Sequence, residues 1–114
     1  MAGGALGLVG ESAALNPKIF SKTRLLILSV LGELPEGESA TFRELKAGLK
    51  LNEGVLFTNL AVLKEMKYIR ETEVNAGRKM TAYSITREGR EELKMLDEWL
   101  KKMIAGRLDE GKPR

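Results

Sequence analysis

Hydrophobic positions recur at helical spacing through the first two thirds of the chain. Asn16 and Pro17 are typical of a helix start, and the apolar stripe that follows predicts a first helix from Pro17 to Leu34, with Pro35 and Gly37 ending it. Thr41 and Glu44 have the spacing of a capping box, which predicts a second helix after a very short strand at 39–41. A third helix is predicted from its cap at Asn52 to about Lys67, with Leu56, Leu60 and Leu63 facing inward.

The hydrophobic period then changes from 3.6 to 2. Two alternating stretches, 68–74 and 79–85, flank the Gly-containing turn "NAGRK" and predict a β-hairpin. Thr86 then caps a last helix, for which Gly106 is the expected stop. The predicted order is therefore α-α-α-β-β-α, with a small additional strand before the second helix.

The length of 114 residues favours one domain. We expect a flexible leader at 1–16, because Gly, Ala and Ser dominate it, a single domain at 17–105 and a flexible tail at 106–114. The longest apolar stretch is too short to span a bilayer, so no membrane partner is expected.

Composition limits the chemistry that this chain can perform. It has neither cysteine nor histidine, so the usual ligands of a zinc site and the usual general base are missing, and a reducing, cytoplasmic location is expected. No nucleophile elbow or phosphate-binding glycine loop is visible, and neither an enzymatic activity nor a cofactor is expected. The net charge of +3 permits a polyanionic partner without identifying one.

Four segments in this order resemble the winged helix-turn-helix domain of MarR and PadR-like transcriptional regulators. They are "FRELKAGLKLNEGVL", "LKEMKYI", "GRKMTAYSIT" and "TREGREEL". The resemblance implies an α+β fold, mostly α, with a three-helix core, a two-stranded wing and a long C-terminal helix. It also implies a dimer that places its third helices in the major groove of double-stranded DNA and its wings on the backbone.

The outer face of the third helix leaves two functions open. Its candidate base-reading residues are Val55, Thr58, Asn59 and Val62, and apolar groups among them can contact thymine methyls. The family pattern has serine and histidine where this chain has Phe57 and Asn59. That departure leaves open a protein-interaction module in which the apolar face contacts another protein.

Candidate contacts to the DNA backbone lie outside the third helix. Lys46 and Lys50 share one face of the second helix, and Arg78 and Lys79 lie at the tip of the wing. Further basic residues would widen this footprint or are ordinary solvated charges: Lys18, Lys22, Arg43, Arg70, Arg87 and Arg90. The hairpin also carries Glu71 and Glu73 on the same face as Ile69, and alternation alone does not say which of the three faces the core.

The last helix has a heptad-like apolar seam and extends farther than a small winged helix needs. This pattern predicts a homodimer through Leu93, Leu96, Trp99, Leu100 and Met103. The alternative is a monomer whose last helix folds back over the first. Related regulators often bind small aromatic acids, so a small-molecule effector remains open, with Trp99, Met103 and Phe20 as its candidate lining.

Overall fold

The computed structural model describes residues 3–75 and 77–111, and the surroundings of the side chains at 6–75 and 77–105. Its helices are α1 (Gly3–Glu11), α2 (Lys22–Glu33), α3 (Phe42–Leu49), α4 (Glu53–Glu65) and α5 (Arg87–Gly111). Its strands are β1 (Ala40–Thr41), β2 (Ile69–Asn75) and β3 (Lys79–Ile85). The second, third and last helices predicted from the sequence correspond to α3, α4 and α5. None of the helices in this described part of the chain has an apolar stretch of the length needed to cross a membrane.

The α3–turn–α4 unit forms where the sequence places its caps. Thr41 and Glu44 make the reciprocal bonds of a capping box at the start of α3, and the Asn52 side chain accepts a bond from the backbone N–H of Val55 at the start of α4. Between the helices Lys50 adopts the left-handed conformation, with a φ of 54°. This one residue turns the chain sharply enough for α4 to cross α3.

The three strands form one antiparallel sheet in the order β1-β3-β2. Ala40 pairs with Tyr83, which confirms the small strand before the second predicted helix, and Ile69 pairs with Ile85 at the base of the hairpin. At the turn Gly77 has a φ of +86°, a conformation that glycine adopts without a Cβ clash. We call this hairpin, residues 69–85, the wing.

The core lies where α2, α3 and α4 meet the inner face of the sheet and the first half of α5. Its fully buried side chains come from the predicted inward stripes: Ile19, Ile27, Leu28, Leu31, Leu45, Leu56, Leu60 and Leu63. Truncating one of these to alanine typically costs about 2–5 kcal/mol of folding free energy. The core therefore fixes which face of α4 points outward.

The predicted first helix is broken into two pieces. Asn16 and Pro17 start only a short 3₁₀ turn, Pro17–Ile19, and the α-helix restarts after Ser21, whose hydroxyl accepts from the backbone N–H of Arg24. The break lies at Phe20, whose φ of −78° and ψ of 66° are not helical, directly before the Ser21 cap.

The ends of the chain also differ from expectation. The segment expected to be a flexible leader contains α1, which packs against α5: the Trp99 indole N–H donates to the Leu8 carbonyl at 2.6 Å, and Lys102 contacts Glu11 at 3.1 Å. At the other end, Gly106 does not stop α5, which continues to Gly111. A lone glycine lowers helix propensity by only about 1 kcal/mol, which neighbouring residues can offset.

Candidate nucleic-acid interface

The outer face of α4 is apolar and exposed. Because Leu56, Leu60 and Leu63 are at most 2% exposed, the opposite side of the helix faces away from the core. On that side the side chain of Phe57 is 65% exposed and that of Val55 is 38% exposed; Thr58 is also exposed, and Val62 is half-buried. Three of the four residues predicted to read bases are thus at or near the surface, and the exposed carboxylate of Glu65 follows Val62 at the C-terminal end of the same stripe.

The fourth, Asn59, is held by its own chain. Its side-chain oxygen accepts from Arg24 Nη1 at 3.0 Å, and its amide nitrogen donates to the carbonyl of Val55 at 2.8 Å. Arg24 is itself fixed by a bond from Nε to the Lys18 carbonyl at 2.6 Å. These two bonds fix the amide against its own chain, so reading adenine would use only its remaining N–H and lone pair in this fixed orientation.

A groove separates α4 from the wing. It has a volume of about 660 Å³, and we call it the wing groove. It is lined by three aromatic side chains, three cations, one carboxylate and smaller groups: Phe42, Phe57, Tyr83, Arg43, Arg78, Lys79, Glu53, Gly54, Met80 and Thr81. The structure thus brings Arg78 and Lys79 together with Arg43 of α3.

The cations of the wing groove lack carboxylate partners. Within the part of the chain that the structure describes, no Asp or Glu oxygen lies within 4.0 Å of Arg43, Arg78 or Lys79. The carboxylate of the groove, Glu53, instead pairs with Lys46 across the α3–α4 turn at 3.7 Å. The wing groove therefore has a net positive charge, since its lining contains three cations and one carboxylate.

Lys46 and Lys50 occupy the turn side of the same surface. Both are exposed, but Lys46 is partly neutralised by Glu53, whereas Lys50 is the left-handed residue that ends α3. The structure thus places the two predicted backbone contacts at the α3–α4 turn, beside the first turn of α4.

Burial shows which of Ile69, Glu71 and Glu73 faces the core. Ile69 is 3% exposed and belongs to the core, whereas Glu71 and Glu73 lie on the exposed part of the strand. Glu71 pairs with Lys64 at 3.2 Å and lies opposite Tyr83 in the sheet. Burial, followed by the nearby Glu71 charge, raises the pKa of Tyr83.

Two basic residues at the start of α5 are used within the chain. Arg90 donates to the carbonyls of Gly32 at 3.0 Å and Leu34 at 3.2 Å, so it caps the C-terminal end of α2. Arg87 pairs with Glu91 at 3.1 Å. These contacts favour an intramolecular role for both arginines over a part in the wider basic footprint.

The predicted dimer residues divide into two groups. Leu96 is 4% exposed and lies in the core of its own chain, so little of its side chain is available for contact with a second chain. Leu93 and Trp99 are half-buried against the same core, and Trp99 also packs edge-on against Phe20 with 6.1 Å between ring centroids. Met103 is half-buried and Leu100 is 37% exposed, so they lie nearer the surface.

Sequence reasoning missed one buried polar cluster. The Glu92 carboxylate is 5% exposed, accepts from the Tyr68 hydroxyl at 2.8 Å and accepts from the backbone N–H of Asn16 at 3.0 Å. Burial, followed by the hydrogen bond to Glu92, raises the pKa of Tyr68 to about 12. The sequence could have indicated the burial of Glu92, because Glu92 lies four residues before Leu96 on the inward stripe of α5.

Comparisons with known proteins agree with this architecture. A family model described as a winged helix DNA-binding domain matches residues 23–104. The structure of a transcriptional regulator homologue from Pyrococcus horikoshii OT3 is 30% identical and superposes with a TM-score of 0.69, over 77% of this chain and 85% of that one. A PadR family transcription regulator from Clostridium difficile R20291 is 19% identical, with a TM-score of 0.63 over 79% of this chain and 97% of that one. No curated protein matches significantly in sequence.

Proposed function

Since the chain belongs to the winged helix DNA-binding domain family, we propose that it is a transcriptional regulator that binds double-stranded DNA through α4 and the wing. The observation that carries this proposal is a set of cations in the wing groove that have no carboxylate partner among the described residues: Arg43, Arg78 and Lys79. With α4 in the major groove, one sugar–phosphate strand would run between α4 and the wing, where these cations lie.

Charges on the other side of α4 support the same orientation. Arg24 and Lys18 border a second concavity beside Val62, which Glu65 also lines, so this side of α4 carries two cations and one carboxylate. A helix in the major groove has a phosphate strand on each side, which makes two flanking basic edges favourable. The apolar outer face of α4 would then lie against the bases rather than the phosphates.

Titration of a duplex at two salt concentrations tests the proposal. We expect affinity to fall steeply with salt and the double variant Arg78→Ala/Lys79→Ala to make the salt dependence shallower by about 2 in slope, because two phosphate contacts are lost. The matched control is Lys94→Ala/Lys101→Ala, which removes the same charge from the exposed side of α5. An absence of salt dependence, or equal effects of the two double variants, would contradict the proposal.

We also propose that the regulator is a homodimer held by α1 and α5. The α5 helix has 25 residues, about 37 Å of helix, and the radius of gyration is 17.1 Å against about 13 Å for a compact chain of this length. Large apolar side chains stay exposed on these helices and the segment between α1 and α2: Leu6, Val9, Phe20, Met95, Leu100 and Ile104. A helix pair with so much exposed apolar surface favours burial against a second copy.

Light scattering during size-exclusion chromatography tests the dimer. We expect the double variant Leu100→Glu/Ile104→Glu to be monomeric, because it places carboxylates in the apolar patch. The control Lys94→Glu/Lys101→Glu changes the exposed charged side of the same helix and should leave the mass unchanged. A monomeric wild-type chain at micromolar concentration would refute dimerisation without affecting the DNA proposal.

A second function, protein recognition by α4, is favoured by the 65% exposure of Phe57. This ring lies between two concavities, the wing groove and a smaller one that also borders Tyr83 and Lys64. Phe57→Ser separates the two functions. Loss of binding to a partner or a second copy with unchanged DNA affinity supports protein recognition, whereas loss of DNA affinity in an intact dimer contradicts it.

A further inference from the structure

The outer face of α4 has few groups that can read bases by hydrogen bonding. Among its described residues the one basic side chain is Lys64, which pairs with Glu71 at 3.2 Å on the side of the wing. Asn59 is bonded at both ends of its amide, to Arg24 and to the Val55 carbonyl. Among Val55, Thr58 and Ala61, the Thr58 hydroxyl is the one side-chain hydrogen-bonding group, and the Glu65 carboxylate follows one turn further along the helix.

The same face is rich in small apolar groups. Val55, Thr58 and Ala61 follow each other at steps of three residues, and each is exposed. Thr58 contributes a methyl as well as its hydroxyl. Because these side chains are short, the backbone of α4 can approach a groove floor closely, and three methyl-bearing residues cover about 9 Å of helix.

The major groove offers one apolar feature on its base edges, the C5-methyl group of thymine. All the other groups that distinguish base pairs there are hydrogen-bond donors or acceptors, which valine and alanine cannot satisfy. A face built from methyl groups gains free energy from thymine because the contact removes apolar surface from water. Guanine and cytosine edges would instead lose water without gaining a partner.

We propose that α4 selects duplex DNA through pyrimidine C5-methyl groups, contacted by Val55, Thr58 and Ala61. This inference rests on the proposed DNA-binding function and specifies which DNA the site prefers. A stretch of about 9 Å corresponds to two or three base-pair steps of about 3.4 Å, so the contacted core is a short run of A·T pairs. The charges of the wing groove hold the backbone and do not distinguish bases.

Replacing thymidine by deoxyuridine tests the proposal directly. The full chain is first used to enrich duplexes from a randomised pool, and the enriched duplex is then synthesised with thymidine or with deoxyuridine in its core. Deoxyuridine removes the methyl and keeps every hydrogen-bonding group of the pair. We expect at least about fivefold weaker binding, since each buried methyl contributes about fourfold. Deoxyuridine placed only outside the enriched core is the matched DNA control and should leave affinity unchanged.

Two variants of Thr58 assign the effect to α4. Thr58→Ser removes the methyl and keeps the hydroxyl, so it should bring the thymidine-to-deoxyuridine affinity ratio closer to one. Thr58→Val keeps methyl groups and removes the hydroxyl, so the ratio should persist. Thr58 is exposed, and both substitutions leave the core intact. Arg78→Ala/Lys79→Ala should weaken binding to both duplexes equally.

The outcomes separate this inference from the function on which it rests. Equal affinity for the two duplexes, or enrichment of a core without thymine, overturns methyl recognition and leaves DNA binding standing. Failure to bind any duplex, with no dependence on salt, overturns the proposed function and methyl recognition with it.

Discussion

Cations on the two sides of this molecule have different surroundings. Around α5, Arg90 caps α2 and Lys101 pairs with Asp97 at 2.9 Å, so both cations are bonded to groups of their own chain. Around the wing groove, Arg43, Arg78 and Lys79 have no carboxylate partner among the residues that the structure describes. The difference teaches that the net charge of +3 says little about DNA binding until the internally paired cations are set apart from the others.

The contact between the start of α5 and the base of the wing, at Gly89, Tyr68 and Ile85, should tolerate a larger side chain far less well than α3 does. A Cβ at Gly89 would collide with the Tyr68 carbonyl and come within 2.8 Å of Ile85 Cγ1, whereas a Cβ at Gly48 of α3 meets nothing within 4 Å. We expect Gly89→Ala to lower the free energy of unfolding by about 2 kcal/mol or more. Gly48→Ala should be neutral or slightly stabilising, because alanine is the better helix former. Urea denaturation of both variants checks this prediction. Similar free energies of unfolding for the two variants would contradict it.

Two arginines should separate folding from binding. Arg90→Ala removes both bonds to the end of α2 and should cost about 1 kcal/mol of stability, with duplex affinity little changed. Arg43→Ala should lower duplex affinity and leave stability little changed, since it removes a cation from the wing groove and Arg43 has no carboxylate partner within the described part of the chain. Thermal unfolding and duplex titration on the same two proteins measure both effects. If Arg43→Ala proves the more destabilising of the two, the division of the cations is wrong.

Alkaline pH should lower the free energy of unfolding through Tyr68, which donates to Glu92 of α5. Its pKa is raised from 10.0 to about 12 in the folded chain, so below pH 10 the hydroxyl is protonated in both states and its contribution is complete. Between pH 10 and about 12 the unfolded chain releases this proton first, and stability falls as pH rises. The free energy of unfolding, measured by denaturation at several pH values between 10 and about 12, should depend less steeply on pH in Tyr68→Phe. If the substitution leaves this pH dependence unchanged, other groups cause the loss of stability.

The smallest effect concerns the turn between α3 and α4. Lys50 has a φ of 54°, which costs any side chain with a Cβ, so Lys50→Gly should raise the stability by about 0.5 kcal/mol. We expect duplex affinity to decrease modestly in the same variant, because a cation is lost. Lys50→Asn, which tolerates this conformation, is the control for charge loss. Higher affinity in Lys50→Gly would show that Lys50 contributes nothing to binding.

Local signals account for most of the fold that the sequence predicted. The caps Thr41, Asn52 and Thr86 act over three residues, and the change of period at Tyr68 marks the wing, so the starts of these three helices and both strands of the wing are confirmed within one or two residues. The α1 helix was missed because its Gly-rich sequence has low propensity and its stabilising contact, Trp99 to the Leu8 carbonyl, joins residues 91 positions apart.

The site was less predictable because its chemistry depends on distant partners. Arg78 and Lys79 were recognised from the wing turn alone, and the wing groove does contain them. That Asn59 is bonded to Arg24, and that Arg90 caps α2, follows from contacts over 35 and 58 residues. One clue existed: Arg24 lies on the same helical stripe as Leu28 and Leu31, where a solvated arginine is not expected.

The separation of the two faces of α4 has a consequence for how such a regulator changes its target. Its inner leucines carry the packing, while Val55, Thr58 and Ala61 project outward. Substitutions at these three positions are therefore expected to have little effect on folding. With the base contacts proposed above, new operator preferences would be accessible by single substitutions, each through a folded protein, so the scaffold could diverge in specificity without first acquiring spare stability.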